Sequence, residues 1–166
     1  MKSIKILGIV AAITAYPFII TSIILSNWFN FYDNALSDLG NIENNVSISL
    51  IFNTGLVLSG LLVAVLAIFF VLKRSWNYLS WAIPLLIASI FLALIGCFPE
   101  NSGEIHGFVS TTFFLLTAVT LLVYSYCSWP LGSPTTGALA LGVAIQETLT
   151  SVMTPVWLIA VSLRNA

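Results

Sequence analysis

Apolar residues fall into five long blocks, with the polar residues gathered mostly between them. The blocks cover residues 4–25, 46–72, 79–98, 108–126 and 137–163. A helix needs about 20 mostly apolar residues to cross the roughly 30 Å hydrocarbon layer of a bilayer, and each block meets that length. The pattern predicts an all-α fold: a multi-pass transmembrane helical bundle of five spans, forming a single integral-membrane domain over 1–166. Pro17, Pro84 and Pro155 lie inside spans. A lipid-embedded helix tolerates them where its neighbours satisfy the freed carbonyls. The first block follows Lys2 and Lys5, as a secretory leader would, but its apolar run is longer than a leader's. No small-residue cleavage motif precedes Trp28 and Phe29, so the block reads as a retained helix.

The basic residues orient the bundle. Lys2 and Lys5 precede the first span, Lys73 and Arg74 separate the second from the third, and Arg164 alone falls on the opposite side. That bias places the N-terminus in the cytoplasm. Loops 26–45 and 99–107 are then the outer ones, and they hold Asp33, Asp38, Glu43, Glu100 and Glu104. Aromatic residues mark both interfaces: Trp28, Phe29, Phe31 and Tyr32 outside, and Trp76, Tyr78, Trp81 and Tyr124 inside.

Composition agrees. The chain is 59% hydrophobic and 7% charged, whereas soluble domains are about a quarter charged. Disordered chains and basic nucleic-acid binders are excluded, so no nucleic-acid partner is expected. Cys97 and Cys127 belong to opposite ends of their spans, too far apart for a disulfide, which needs Cα atoms within about 7 Å. Both read as packing residues. With one histidine, a zinc site of about four converging ligands is not expected, nor is any other metal or cofactor.

The candidate chemistry lies in polar residues that hydrocarbon should exclude. Glu147 sits about 15 Å deep in the fifth block, near the bilayer midplane. A charge there costs roughly 2.5–3.5 kcal/mol and by default marks function. Thr150, Ser151 and Thr154 follow it on one helical face. His106, Ser110, Thr117 and Thr120 form a stripe on the fourth span, and Ser49, Asn53 and Gly60 form another on the second. Such hydroxyls also serve plain interhelical packing. If the stripes converge, they line an outward-facing polar cleft. In the first outer loop, residues 34–40 read as a short helical turn stopped by Gly40, with Leu36 and Leu39 toward lipid and Ser37 and Asp38 toward a site.

Leu36-Ser37-Asp38-Leu39-Gly40, Phe52-Asn53-Thr54-Gly55, and Phe98-Pro99-Glu100 followed by His106-Gly107 together resemble a prokaryotic, largely archaeal membrane family, domain of unknown function 998. The resemblance implies a multi-pass protein of a prokaryotic cell membrane and directs attention to Ser37, Asp38, Asn53, Glu100, His106 and Glu147. Members often have six spans and a Pro-Glu step in a later helix. Here Gln146-Glu147 stands at that step, and a sixth span is possible.

Three functions follow as expectations. In the first, the cleft binds a lipid headgroup or small molecule through Asp38, Asn53, Glu100, His106, Thr117, Glu147 and Ser151. In the second, the chain is an outer-leaflet hydrolase or transferase: His106 is the acid or base, Asp38 or Glu100 orients it, and Ser37 or water attacks. In the third, it is an interaction subunit, with a membrane-protein partner or a second copy of itself. No nucleophile motif favours an enzyme.

Overall fold

The computed structural model describes residues 2–128 and 135–143, and all its regular elements are helical. They are α1 (Lys2–Ile13), α2 (Ala15–Leu25), a 3-10 turn (Leu36–Gly40), α3 (Val46–Val71), α4 (Trp76–Cys97), a second 3-10 turn (Glu100–Ser102) and α5 (Glu104–Ser128). Four stretches are long and apolar enough to cross a membrane: Ile4–Leu25, Val46–Val71, Trp76–Cys97 and Glu104–Ser128. The fifth predicted span is helical where described, over 135–143. Its remainder, with Glu147, Thr150, Ser151 and Thr154, lies outside the described residues.

The first span is two helices, because Pro17 has no N–H to offer the carbonyl one turn upstream. Two hydroxyls bond carbonyls in the turn before the break. The Thr14 amide and hydroxyl both donate to the Val10 carbonyl, at 3.0 and 2.6 Å. From α3, the Ser59 hydroxyl donates to the Ala11 carbonyl at 3.4 Å. Pro84, by contrast, is absorbed within a continuous α4.

Two expectations need correction. The chain becomes helical at Glu104 rather than at 108, so His106 lies in the first turn of α5 instead of in a loop. Gly103 makes this possible by taking φ 61°, and the Glu104 carboxylate then sits at the positive end of the new helix dipole. Leu39 does not face lipid. It is 1% exposed and packs with Ile48 and Phe52, while Leu36 stays exposed.

Helix α3 is the hub. It packs on α1, α2, α4 and the first 3-10 turn, whereas α5 packs on α4 and the second turn. The contacts are close because the residues are small. A Cβ on Gly60 would come within 2.7 Å of the Ala93 amide nitrogen and the Ser89 carbonyl oxygen of α4. One on Gly96 of α4 would lie 2.5 Å from the Asn53 carbonyl oxygen, and one on Gly55 would strike Phe18 of α2. Such small residues let membrane helices approach backbone to backbone. Outward positions carry large apolar side chains, among them Ile9, Ile24, Leu61, Val65, Ile90 and Leu115, all exposed and suited to acyl chains.

Two glycine substitutions should therefore differ in sign. In Gly60→Ala the new methyl meets backbone that cannot rotate away, and we expect a loss of about 1–3 kcal/mol despite better helix propensity. Gly107→Ala in α5 meets nothing within 4 Å among the described residues and should be neutral or stabilising by up to about 1 kcal/mol. Thermal unfolding of the purified variants in one detergent compares the two.

Candidate functional site

The loops between α2 and α3 and between α4 and α5 carry Asp33, Asp38, Glu43, Glu100 and, at the start of α5, Glu104. This end of the bundle is acidic, and the end bearing Lys73 and Arg74 is basic. At the acidic end the first 3-10 turn forms around its own carboxylate. Asp38 Oδ2 accepts from the Ala35 amide and from Asn34 Nδ2, each at 3.1 Å. Asn44 Nδ2 donates to the Asp38 carbonyl at 3.1 Å, closing the loop behind it. Two contacts seat the turn on α3: Leu39 buries against Ile48 and Phe52, and Asn53 Nδ2 donates to the Gly40 carbonyl at 2.9 Å. Gly40 is required for its small size. A Cβ there would lie 2.7 Å from Asn53 Oδ1.

The second 3-10 turn follows buried Pro99 and meets the first turn. The Ile42 amide reaches Asn101 Oδ1 at 3.4 Å across the gap. Glu100 is thereby set against Asp38, with the Asn41 carboxamide and the Ser37 hydroxyl as its other polar neighbours. The Glu100 pKa is pushed up to about 7, most of all by burial and further by the adjoining Asp38 carboxyl through a hydrogen bond and charge repulsion. Asn41 and Ser37 pull in the opposite direction and are outweighed. A carboxyl in such a pair can hold a proton near neutrality, and so can donate a hydrogen bond as well as accept one.

His106 bonds to the end of α4 and not to this pair. Its Nδ1 lies 2.8 Å from the Phe98 carbonyl oxygen, an atom that can only accept. Nδ1 therefore carries the hydrogen, and Nε2 is the acceptor of the neutral ring. The ring thus caps the end of α4 from the first turn of α5. Three of the four described hydroxyls of the predicted stripes close on their own helices: Ser49 donates to Val46 (2.9 Å), Ser110 to His106 (2.7 Å) and Thr120 to Leu116 (2.7 Å). This is the usual alternative to lining a site. Thr117 is half-buried on α5, and α5 has no substantial packing on α3, so no α3–α5 seam joins it to Asn53. Cys97 and Cys127 are free thiols, and Cys97 is exposed rather than packed. Glu147 and Ser151 lie outside the described residues. Among the described residues, no three His, Cys, Asp or Glu side chains converge on one point.

Of the sequence candidates, the structure gathers Ser37, Asp38, Asn53 and Glu100. It adds Asn41 and Asn101, which sequence reasoning missed. Asn41 follows the turn-closing Gly40 and Asn101 follows Glu100, so their adjacency to named candidates was the available signal.

A family model described as protein of unknown function (DUF998) matches residues 9–164. No curated protein and no solved structure matches the chain.

The shifted carboxyl makes the fold pH-sensitive. Folding raises the proton affinity of Glu100, so its stabilising contribution is present below the ordinary carboxylate range and is lost as pH rises through about 7. The unfolding temperature in detergent should fall across this window and level off above it. Glu100→Gln should flatten the profile and match or exceed wild type at pH 8.

Proposed function

The chain belongs to that family of unknown function, and on this footing we propose that its acidic end binds a lipid headgroup or other small molecule at a prokaryotic, by resemblance archaeal, cell membrane. The membrane setting is supported by four helices of spanning length with apolar outward faces. The binding role is supported above all by the apposition of Asp38 and Glu100, brought together from two separate loops.

Two carboxyls with one proton between them suit a ligand carrying an ammonium or hydroxyl group. The neutral Glu100 offers a donor and the Asp38 oxygens offer acceptors; loss of the proton leaves a doubly negative seat for a cation. Ser37, Asn41 and Asn101 add neutral polar groups around the pair, and Asn53 holds the platform by its bond to Gly40. Of the other sequence candidates, Thr117 lies on α5, away from the α3 face of Asn53, His106 bonds to the end of α4, and Glu147 and Ser151 lie outside the described residues. Membrane lipid is the surrounding partner in either case.

The hydrolase reading has one supporting observation, the ring of His106 held through Nδ1 on the Phe98 carbonyl. The group aligning that ring is a backbone carbonyl rather than Asp38 or Glu100, which weakens the case for an acid–base pair. An interaction subunit would use the hydroxyl stripes as contact surfaces, and Ser49, Ser110 and Thr120 instead bond to their own helices.

Soluble headgroups test the binding proposal. Glycerophosphoethanolamine and glycerophosphoglycerol share a phosphate and differ in the ammonium. Calorimetric titration of the detergent-solubilised chain should show tighter binding of the first, with the preference growing between pH 6 and pH 8. Glu100→Gln should remove the pH dependence and Asp38→Asn the preference itself. Equal affinity for both headgroups, or an unchanged profile in Glu100→Gln, would overturn the reading.

A further inference from the structure

The basic end holds a cavity of about 190 Å³ that the acidic-end site does not use. It lies where α3 ends, α4 begins and α5 ends, and is lined by Phe70, Asn77, Tyr78, Trp81, Tyr124, Cys127 and Ser128. We propose that it seats the phosphate headgroup of an anionic lipid, with Lys73 as the phosphate partner.

The cavity wall is preformed. Phe70 stacks on Tyr78 with ring centroids 5.6 Å apart, Phe70 meets buried Trp81 at 4.9 Å, and Tyr124 closes edge-on against Trp81 at 5.3 Å. Such pairs contribute beyond their buried area, so the rings hold their places without an occupant. Lys73 is positioned by the same rings. Its Nζ lies 4.6 Å from the Tyr78 centroid and 5.3 Å from those of Phe69 and Phe70. These contacts fix a cation at the cavity's edge and leave its charge uncancelled.

No described carboxylate balances it. Asp33, Asp38, Glu43, Glu100 and Glu104, the acidic residues among those described, all belong to the opposite end. The neighbouring Arg74 adds a second cation, in the tight turn where it adopts φ 52°. The polar groups of the lining suit an anion. The Asn77 carboxamide makes no hydrogen bond among the described residues and is free to donate, while Ser128 and Cys127 are occupied with Ser125 and Ser80. The volume is several times the roughly 30 Å³ share of a water molecule, large enough for a glycerophosphate group rather than a lone ion. The end of a spanning helix would meet the lipid phosphates, and each Lys or Arg near an anionic leaflet is worth about 1 kcal/mol. This inference is independent of the acidic-end reading.

Native mass spectrometry of the full chain in a neutral detergent tests it, with short-chain phosphatidylglycerol, phosphatidylcholine and inorganic phosphate as probes. We expect one phosphatidylglycerol to be retained, at least five-fold more tightly than phosphatidylcholine, and not to be displaced by equimolar inorganic phosphate. Lys73→Met should weaken it about five-fold, the equivalent of one interfacial charge. Lys73→Arg should stay within two-fold of wild type, and Lys5→Met should have no effect. Asn77→Ala, at an exposed position, is the second variant should Lys73→Met fail to fold, and should weaken binding two- to three-fold. Retention of wild-type affinity in Lys73→Met and Asn77→Ala would overturn the proposal. So would equal weakening by Lys5→Met, which indicates general charge attraction, or displacement by inorganic phosphate, which indicates a soluble anion.

Discussion

Close backbone approach between α3 and its neighbours is the constraint on which the arrangement depends. In hydrocarbon an apolar side chain gains little by leaving lipid for protein, so helices associate through fit and polar contact. Gly60 and Gly96 supply the fit on either side of the α3–α4 seam, and Gly55 accepts Phe18 from α2. With α3 held on both flanks, the carboxamide of Asn53 has a fixed origin. It pins the Gly40 carbonyl, and the pinned turn presents Asp38 to Glu100. A contact between small residues inside the bundle thus sets the geometry of a carboxyl pair at its end.

The two ends handle charge differently. At the acidic end, like charges are crowded together and one is relieved by taking up a proton. At the basic end, a cation rests on aromatic faces, and the described carboxylates all lie at the opposite end of the bundle. Among the described residues neither end uses an ion pair, the usual way to silence a charge near a membrane.

Much of this was legible in the sequence because the bilayer sets a strict length scale. Four of the five apolar blocks correspond within a few residues to helical stretches long and apolar enough to span, and the turn at Leu36–Gly40 was readable from its composition. The boundary of α5 was not, since Gly103 and Glu104 act through a local backbone angle and a dipole contact rather than through hydropathy. Leu39 was misread for a related reason: whether a loop leucine faces lipid or protein depends on the shape of the surface beneath it, here Ile48 and Phe52. Ser37, Asp38, Asn53 and Glu100 could be named as polar residues out of place. The pairing of Asp38 with Glu100, however, depends on how two loops meet. The hydroxyl stripes promised a cleft by periodicity alone, and periodicity does not say whether Ser49, Ser110 and Thr120 will turn back to their own carbonyls.

The order of packing follows the order of the chain: α2 rests on α3, α3 on α4 and α4 on α5. Each seam joins helices linked by a connection of modest length, so closing it costs little loop entropy and requires no distant segment. The α3–α4 hairpin, joined through Lys73, Arg74 and Ser75, can dock once its second arm has entered the bilayer. From α2 to α5 each helix thus packs on its neighbour in the chain, an arrangement that suits stepwise assembly.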